Sequence, residues 1–152
     1  MGTTTVKSLY DTDFVEWTAH TAEMLRSGRI EEIDIEHLAE EIEDLGKSDR
    51  RGVSSQLRRM LLHMVKQRMQ PERDGSSWES SINSSRWEIL FDLKASPSLR
   101  KYLKDNLQDI YTSAVIDAVA EMKLPASETA EIPRQCPYTL DQLLEGNPAP
   151  WR

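Results

Sequence analysis

The sequence predicts an all-α protein, an up-and-down helical bundle of about four main helices with a proline-rich C-terminal strap and one short terminal helix. Apolar residues recur every three or four positions over four long stretches, and capping residues precede those stretches. Neither the alternation typical of a strand nor a two-residue hairpin turn occurs. Helices of this length joined by short loops bury their apolar faces most simply as a bundle. We expect residues 8–150 to form a single domain, with the strap at 124–152 packed on it and a flexible N-terminus at 1–7.

The first helix is predicted over about residues 13–26. Asp11 or Thr12 is suited to cap its free backbone amides, and Gly28 is suited to end it. Residues at helical spacing are expected to form its apolar stripe: Phe14, Trp17, Thr18, Thr21, Met24 and Leu25.

The second helix is predicted as one long element over about residues 35–69. Asp34 is its expected N-cap, Pro71 closes it, and the stretch from Gly46 to Gly52 is where it would bend. The stripe expected to be buried has a first part, Ile35, Leu38, Ala39, Ile42 and Leu45, and a second part, Val53, Leu57, Met60, Leu61, Met64 and Val65.

Two more main helices follow the loop after Pro71. Ser76 and Glu79 have the spacing of a capping box, which predicts a third helix that ends near Ala95. Ser96 and Pro97 are a start signal for a fourth helix that ends near residue 123.

The C-terminal segment has a different character. Five of the seven prolines lie in the last 28 residues, which predicts an extended strap. Thr139 caps a short helix over 140–145, and Gly146 stops it.

The charge of −7 is unevenly distributed. Residues 31–44 carry eight acids and no Lys or Arg, whereas residues 47–73 carry eight bases against two acids. One interpretation is that the two blocks neutralise each other when helices pack. The other is that the basic block meets an anionic partner. The net charge argues against nucleic-acid binding by the whole surface, which leaves the segment 47–73 as the part that would bind it.

Composition excludes several classes of protein. No run of apolar residues is long enough to span a membrane, and the N-terminus lacks the apolar core of a signal peptide, so we expect a cytoplasmic protein without membrane contact. The single cysteine, Cys136, excludes an internal disulfide and a cysteine-rich zinc site. None of the three histidines follows a glutamate by three positions, as di-metal bundles require. We therefore expect no metal and no cofactor.

Catalytic motifs are equally scarce. There is no Gly-x-Ser-x-Gly elbow and no glycine-rich phosphate loop. His63 is the residue that stands out, because an imidazole titrates near neutral pH and this one flanks a helical stripe close to Lys66 and Arg68. It would serve either in proton transfer or as a structural hydrogen-bond donor.

A series of motifs runs through nearly the whole chain in order. They are Asp13-Phe14-x-x-Trp17, residues 38–48 (LAEEIEDLGKS), 61–66 (LLHMVK), 70–73 (QPER), Ser77-Trp78, Arg86, 96–99 (SPSL), Tyr111 and 136–140 (CPYTL). In these motifs the sequence resembles the bacterial proteins grouped as "domain of unknown function 29", which are numerous in cyanobacteria and occur in proteobacteria. The resemblance implies an all-helical bundle and no particular activity.

The resemblance also marks candidate site residues. Among its characteristic polar and aromatic positions, the weak catalytic candidates are His63, Glu41 and Glu43, and the binding candidates are Lys66, Arg73, Trp78 and Arg86. If the long helix folds against the third, Glu41 or Glu43 would pair with Arg86, and His63 would lie near the turn from Arg73 to Trp78. Such a network would either lock the bundle or line a cleft.

Three functions are consistent with the sequence. The leading one is a non-catalytic domain that binds another protein or self-associates. The alternative is a small enzyme that uses a His/carboxylate pair on an anionic substrate. The second alternative is a nucleic-acid-associated protein that binds through residues 47–73.

Overall fold

The chain folds into helices joined by short turns. The computed structural model describes residues 9–73, 76–146, 148 and 151, and those residues contain no strand. We number the helices α1 (Phe14–Arg26), α2 (Ile35–Met69), α3 (Ser76–Ala95), α4 (Leu99–Met122), α5 (Ala126–Thr129) and α6 (Leu140–Glu145). Single turns of 3-10 helix lie at Ile30–Glu32 and Pro71–Arg73. The predicted all-α helical bundle is confirmed.

The start of α1 differs slightly from the prediction. Residues 9–12 already form a helical turn, so the cap of α1 is neither Asp11 nor Thr12. Asp13 caps it instead, and its carboxylate accepts a hydrogen bond from the backbone amide of Glu16 at 3.0 Å. Gly28 follows the helix in the left-handed conformation (φ +75°), as the sequence predicts.

The long helix α2 is continuous over the predicted range, and Gly46 and Gly52 both lie inside it. At its start, the Asp34 carboxylate accepts a hydrogen bond from the backbone amide of His37 at 3.4 Å, which confirms Asp34 as the cap. The chain divides into two compact units between Ser48 and Asp49, within this helix. We call residues 9–48 unit 1 and the described residues from 49 onwards unit 2.

The predicted stripe of α2 is buried over only half its length. All six residues of the second part are buried in the core of unit 2. The first part was wrongly predicted as buried, because Leu38 is only partly covered and the other four residues are exposed: Ile35, Ala39, Ile42 and Leu45. The reason is physical, since α1 is the one other α-helix of full length among the described residues of unit 1 and leaves much of this stripe uncovered.

Unit 2 has a continuous apolar core. Residues of α2 from Val53 onwards pack with α3, α4 and α6, and α6 contacts both α3 and α4. α4 begins two residues later than the predicted start at Pro97, because Pro97 and Ser98 form a turn. The predicted capping box of α3 depends on the side chain of Ser76, which lies outside the described part of the structure.

The C-terminal strap is fixed to α4 by side chains. The amide of Gln108 donates to the carbonyl of Arg134 at 3.0 Å and accepts from the backbone N–H of Cys136 at 2.8 Å. The Tyr111 hydroxyl donates to the carbonyl of Pro133 at 2.6 Å. The strap is not wholly extended, because α5 forms one helical turn within it.

The short helix α6 within the strap agrees with the prediction, and its cap contains one hydrogen bond more than predicted. Thr139 accepts from the backbone amide of Gln142, and the Gln142 side chain accepts in return from the backbone N–H of Thr139, which completes a capping box. Gly146 ends this helix with φ +100°.

Replacing Gly52 by alanine should stabilise the protein. A Cβ at this exposed helical position meets no atom within 4 Å, and alanine in a helix interior is favoured over glycine by about 1 kcal/mol. We expect a higher Tm by circular dichroism. As a control, Gly146→Ala should lower the Tm, because φ +100° is strained for any residue with a side chain. Equal shifts for the two variants would contradict this account.

Stability should fall at high pH through the strap tyrosines. Burial raises the pKa of Tyr111 above its ordinary value of 10.0, and burial also raises that of Tyr138. Because the folded state retains these protons more strongly, its stability is complete below about pH 10 and declines as the pH rises further. Urea unfolding at about pH 8 and about pH 11 measures the decline. Tyr111→Phe should lower the free energy of unfolding by about 1 kcal/mol at the lower pH. Between the two pH values, the free energy of unfolding of this variant should fall less than that of wild type.

Candidate functional site

The interior of unit 1 is an aromatic cluster. Trp17, 1% exposed, is contacted by the ring of Tyr10 edge-on at 4.8 Å between centroids and by the ring of Phe14 at 5.7 Å. Tyr10 also stacks on the imidazole of His37 at 3.9 Å. The cluster buries Trp17 of α1 and connects Tyr10 to His37, which follows the 3-10 turn.

A hydrogen bond and a contact with a carboxylate orient this cluster. The hydroxyl of Tyr10 donates to the carboxylate of Glu41 at 2.5 Å, and this bond raises the pKa of the tyrosine to about 12. Nδ1 of His37 lies 2.5 Å from a carboxylate oxygen of Asp34, one turn earlier in the chain. Glu41 is thus occupied by a local partner.

An apolar groove opens beside the cluster, between α1 and the first half of α2. It has a volume of about 170 Å³. Three of its residues are large, apolar and exposed: Leu25, Ile42 and Leu45, with exposed fractions of 45%, 60% and 70%. The other residues of the groove are Trp17, Thr18, Thr21, Ala22, Leu38 and Glu41.

Two buried polar atoms belong to residues of the groove. Nε1 of Trp17 and Oγ1 of Thr21 have no hydrogen-bond partner within the described ranges, although both residues are almost completely buried. Buried polar atoms are normally paired, because leaving one unpaired costs about 1–3 kcal/mol.

The surroundings of the groove are strongly acidic. Residues 9–48 contain twelve Asp and Glu against three Lys and Arg. Glu36, Glu40 and Glu43 are all exposed on α2. Any group that covers the groove therefore enters a negative field, which favours a partner with positive charge.

The basic block is partly neutralised within unit 2. The guanidinium of Arg58 lies 3.3 Å from the carboxylate of Asp117, and the ammonium of Lys66 pairs with the carboxylate of Glu121. Both carboxylates belong to α4 rather than to the acidic block 31–44. The bases nearest to that block in the chain, Lys47, Arg50 and Arg51, are exposed.

The candidate catalytic residues occupy different parts of the chain. Glu41 lines the groove of unit 1, and Glu43 is exposed on the same helix. His63 belongs to unit 2, where its Nδ1 lies 2.8 Å from the backbone carbonyl of Arg59. This contact assigns the proton to Nδ1, because a carbonyl oxygen only accepts.

The structure brings two of the candidate binding residues together. The ammonium of Lys66 lies 5.9 Å from the centroid of the Trp78 ring, within the range of a cation–π contact. Arg73 is exposed at the end of the 3-10 turn Pro71–Arg73. A cleft of about 460 Å³ beside this turn contains none of the candidate residues; its lining is Gln67, Arg68, Met69, Pro71 and Glu72.

The guanidinium of Arg86 is held by two hydrogen bonds within unit 2. Its Nε donates to the backbone carbonyl of Leu143 at 2.8 Å, and another guanidinium nitrogen donates to the side-chain oxygen of Asn83 at 2.9 Å. The bond to Leu143 satisfies one of the last carbonyls of α6, which have no partner inside the helix. Burial also lowers the pKa of this guanidinium.

A larger cleft of about 770 Å³ lies between α4 and the strap in unit 2. Its walls include Val115, Ile116, Leu124 and Ile132, and Arg134 is at its edge. No candidate residue from the sequence lines it.

Within the described part of the chain, no group of three or more His, Cys, Asp or Glu side chains is arranged to hold a metal ion. Among the same described residues, no helix is both long enough and apolar enough to cross a membrane.

Comparison with known families identifies the chain. The sequence profile described as "Domain of unknown function DUF29" matches residues 9–147. The chain belongs to this family. No curated protein and no solved structure matches it. The family assignment confirms the resemblance seen in the motifs.

The residues that sequence reasoning missed are Leu25, Ile42 and Leu45. Leu25 was expected in an apolar stripe, and Ile42 and Leu45 in a buried one. Periodicity shows that a helix has an apolar face without showing whether another element covers it. The sequence did contain a sign of this exposure. Acidic residues are interspersed with the first part of the α2 stripe, whereas the second part contains more apolar residues.

Arg86→Ala should destabilise the protein. It leaves the carbonyl of Leu143 and the amide oxygen of Asn83 without their guanidinium donors, at a cost of about 1–3 kcal/mol. Urea unfolding monitored by circular dichroism measures the loss. Lys94→Ala, an exposed change on the same helix, is the matched control and should alter stability by less than about 0.5 kcal/mol. If the two variants are equally stable, the assigned structural role of Arg86 is wrong.

Proposed function

We propose that this protein is a non-catalytic protein-interaction domain that binds a helix in the apolar groove of unit 1. The observation that carries the proposal is the exposure of Ile42 and Leu45, 60% and 70%, at a groove whose interior is already apolar. Helix-in-groove recognition uses such a surface, with apolar anchors of the bound helix at positions i, i+3, i+4 and i+7.

The free energy of covering the groove supports this function. Burying a large apolar side chain completely contributes about 1.5–3 kcal/mol. Leu25, Ile42 and Leu45 are 45%, 60% and 70% exposed, so covering each of them would contribute part of that amount. Acidic residues around these three side chains add selectivity, because they favour a helix with basic residues and disfavour an acidic one.

The groove favours binding over catalysis. Its one carboxylate, Glu41, accepts a hydrogen bond from Tyr10, and the other residues of its lining are apolar or carry a hydroxyl or an indole N–H. His63 does not line it. The enzyme alternative therefore depends on residues outside the groove, and no observation gives it comparable support.

Site-specific photocross-linking tests the proposal. A benzoylphenylalanine at position 25 should cross-link to one helical segment, identified by mass spectrometry, and Ile42→Glu should abolish the product because a charge would enter the apolar contact. The matched control places the same group at Ile116, which is 63% exposed on α4. Absence of a cross-link at position 25, or the same products from both positions, would contradict the proposal.

A further inference from the structure

The cleft between α4 and the strap has walls that are joined by hydrogen bonds. Its volume of about 770 Å³ lies within the range of about 300–1,000 Å³ that is typical of small-molecule sites. The hydroxyl of Tyr111 donates to the carbonyl of Pro133, and the amide of Gln108 bonds the strap at Arg134 and Cys136. Because these bonds hold the strap on α4, the walls need not separate further to admit a ligand.

The cleft is apolar over most of its length. Its lining includes Val115, Ile116, Leu124 and Ile132, and Ile116 is 63% exposed. Covering such surface is favourable in proportion to the apolar area that is removed from water. Among the residues that the structure describes, no other large apolar side chain of α4 is exposed. This face of α4 therefore lacks the longer apolar row that an amphipathic helix would cover, and a slender apolar ligand suits it better.

One end of the cleft is polar and cationic. Arg134 is exposed, and it is the only charged residue among the described residues that line the cleft. Its backbone carbonyl accepts a hydrogen bond from the amide of Gln108, which also donates to the hydroxyl of Thr112 at 3.1 Å. Arg134 and Thr112 are thus held at the same end. A guanidinium donates in a planar fork that matches the two oxygens of a carboxylate.

The cleft leads away from this cation along an apolar surface. From Thr112 to its last residue, Met122, α4 rises about 15 Å, and Leu124 lines the cleft just beyond. Thr129 also lines it, but the hydroxyl of this residue already donates to the carbonyl of Pro125. A cation at one end and an apolar surface beyond it match an elongated molecule with one anionic group.

The acids of the strap limit the charge that such a molecule can carry. Glu128 and Glu131 are exposed on the strap, and neither of them lines the cleft. Together with the net charge of −7 of the chain, they disfavour a ligand with several negative charges. The charges therefore favour a head group with a single negative charge in contact with Arg134.

We infer that unit 2 binds an amphipathic monocarboxylate, a medium-chain fatty acid, in the cleft between α4 and the strap. The guanidinium of Arg134 binds the carboxylate, and the alkyl chain lies along Val115 and Ile116 towards Leu124. The inference concerns residues of unit 2 alone, so it does not depend on the binding of a helix to the groove of unit 1.

Titration of the full-length chain with decanoate tests the site. Calorimetry should show saturable binding with a Kd below about 1 mM. Octanoate should bind about fifteenfold more weakly, because each of the two missing methylenes contributes about fourfold in affinity. In NMR spectra, the methyl resonances of Val115, Ile116 and Leu124 should shift as decanoate binds. A titration that does not saturate, or one that leaves these methyl groups unaffected, overturns the inference.

Charge reversal tests the contact of the carboxylate with Arg134. Followed by the shift of the Ile116 methyl groups, decanoate should bind wild type roughly tenfold more tightly than decylamine, which has a cationic head group. Arg134→Glu should reverse this preference. Arg51→Glu makes the same change of charge at an exposed arginine of α2, and it should retain the preference for decanoate. Reversal in both variants, or in neither, overturns the inference.

A change at Ile116 tests the position of the alkyl chain. Because this side chain is 63% exposed, Ile116→Ser removes apolar surface from the cleft without leaving a buried cavity, and the Tm should hardly change. The affinity for decanoate should fall by about fivefold. The matched control is Ile42→Ser, which changes an isoleucine that is 60% exposed in unit 1, and it should leave the affinity unchanged. Equal affinities of the two variants for decanoate overturn the inference.

Discussion

The structure depends on one constraint, which is the unequal coverage of a single long helix. α2 has 35 residues and is about 52 Å long at 1.5 Å per residue, much longer than the apolar core of a domain of this size. Its C-terminal half is covered by α3, α4 and α6 and supplies a large share of the core of unit 2. Its N-terminal half carries the same kind of stripe, but in unit 1 it has far less to pack against.

Unit 1 compensates for its small core with aromatic and polar contacts. Trp17 and its ring neighbours bury the interior, and the bond from Tyr10 to Glu41 fixes α2 to the turn before α1. These contacts leave Ile42 and Leu45 uncovered on the adjoining turns. The exposed part of the stripe is therefore a consequence of how few elements unit 1 contains, and the proposed binding of a helix rests on it.

The polar residues of the sequence motifs have separate structural roles. Lys66 joins Glu121 and the ring of Trp78 inside unit 2. Arg86 satisfies the end of α6, and His63 contacts the carbonyl of Arg59. The sequence suggested Glu41 or Glu43 as the partner of Arg86, whereas Arg86 bonds Leu143 and Asn83, and Glu41 accepts from Tyr10.

Local chemistry made most of the fold predictable from the sequence. Asp34 and Thr139 cap helices because their side chains reach nearby backbone amides, and Gly28 and Gly146 follow helices because positive φ is unstrained there. The length of α2 and the buried residues from Val53 onwards also follow from periodicity. The exposure of Ile42 and Leu45 does not follow from periodicity, because burial depends on which other elements are present to cover a helix face. Only the tertiary structure decided that the first half of the stripe lines an open groove. The reason is that the residues that cover a helix face come from distant segments of the chain, which the local sequence of the helix does not specify.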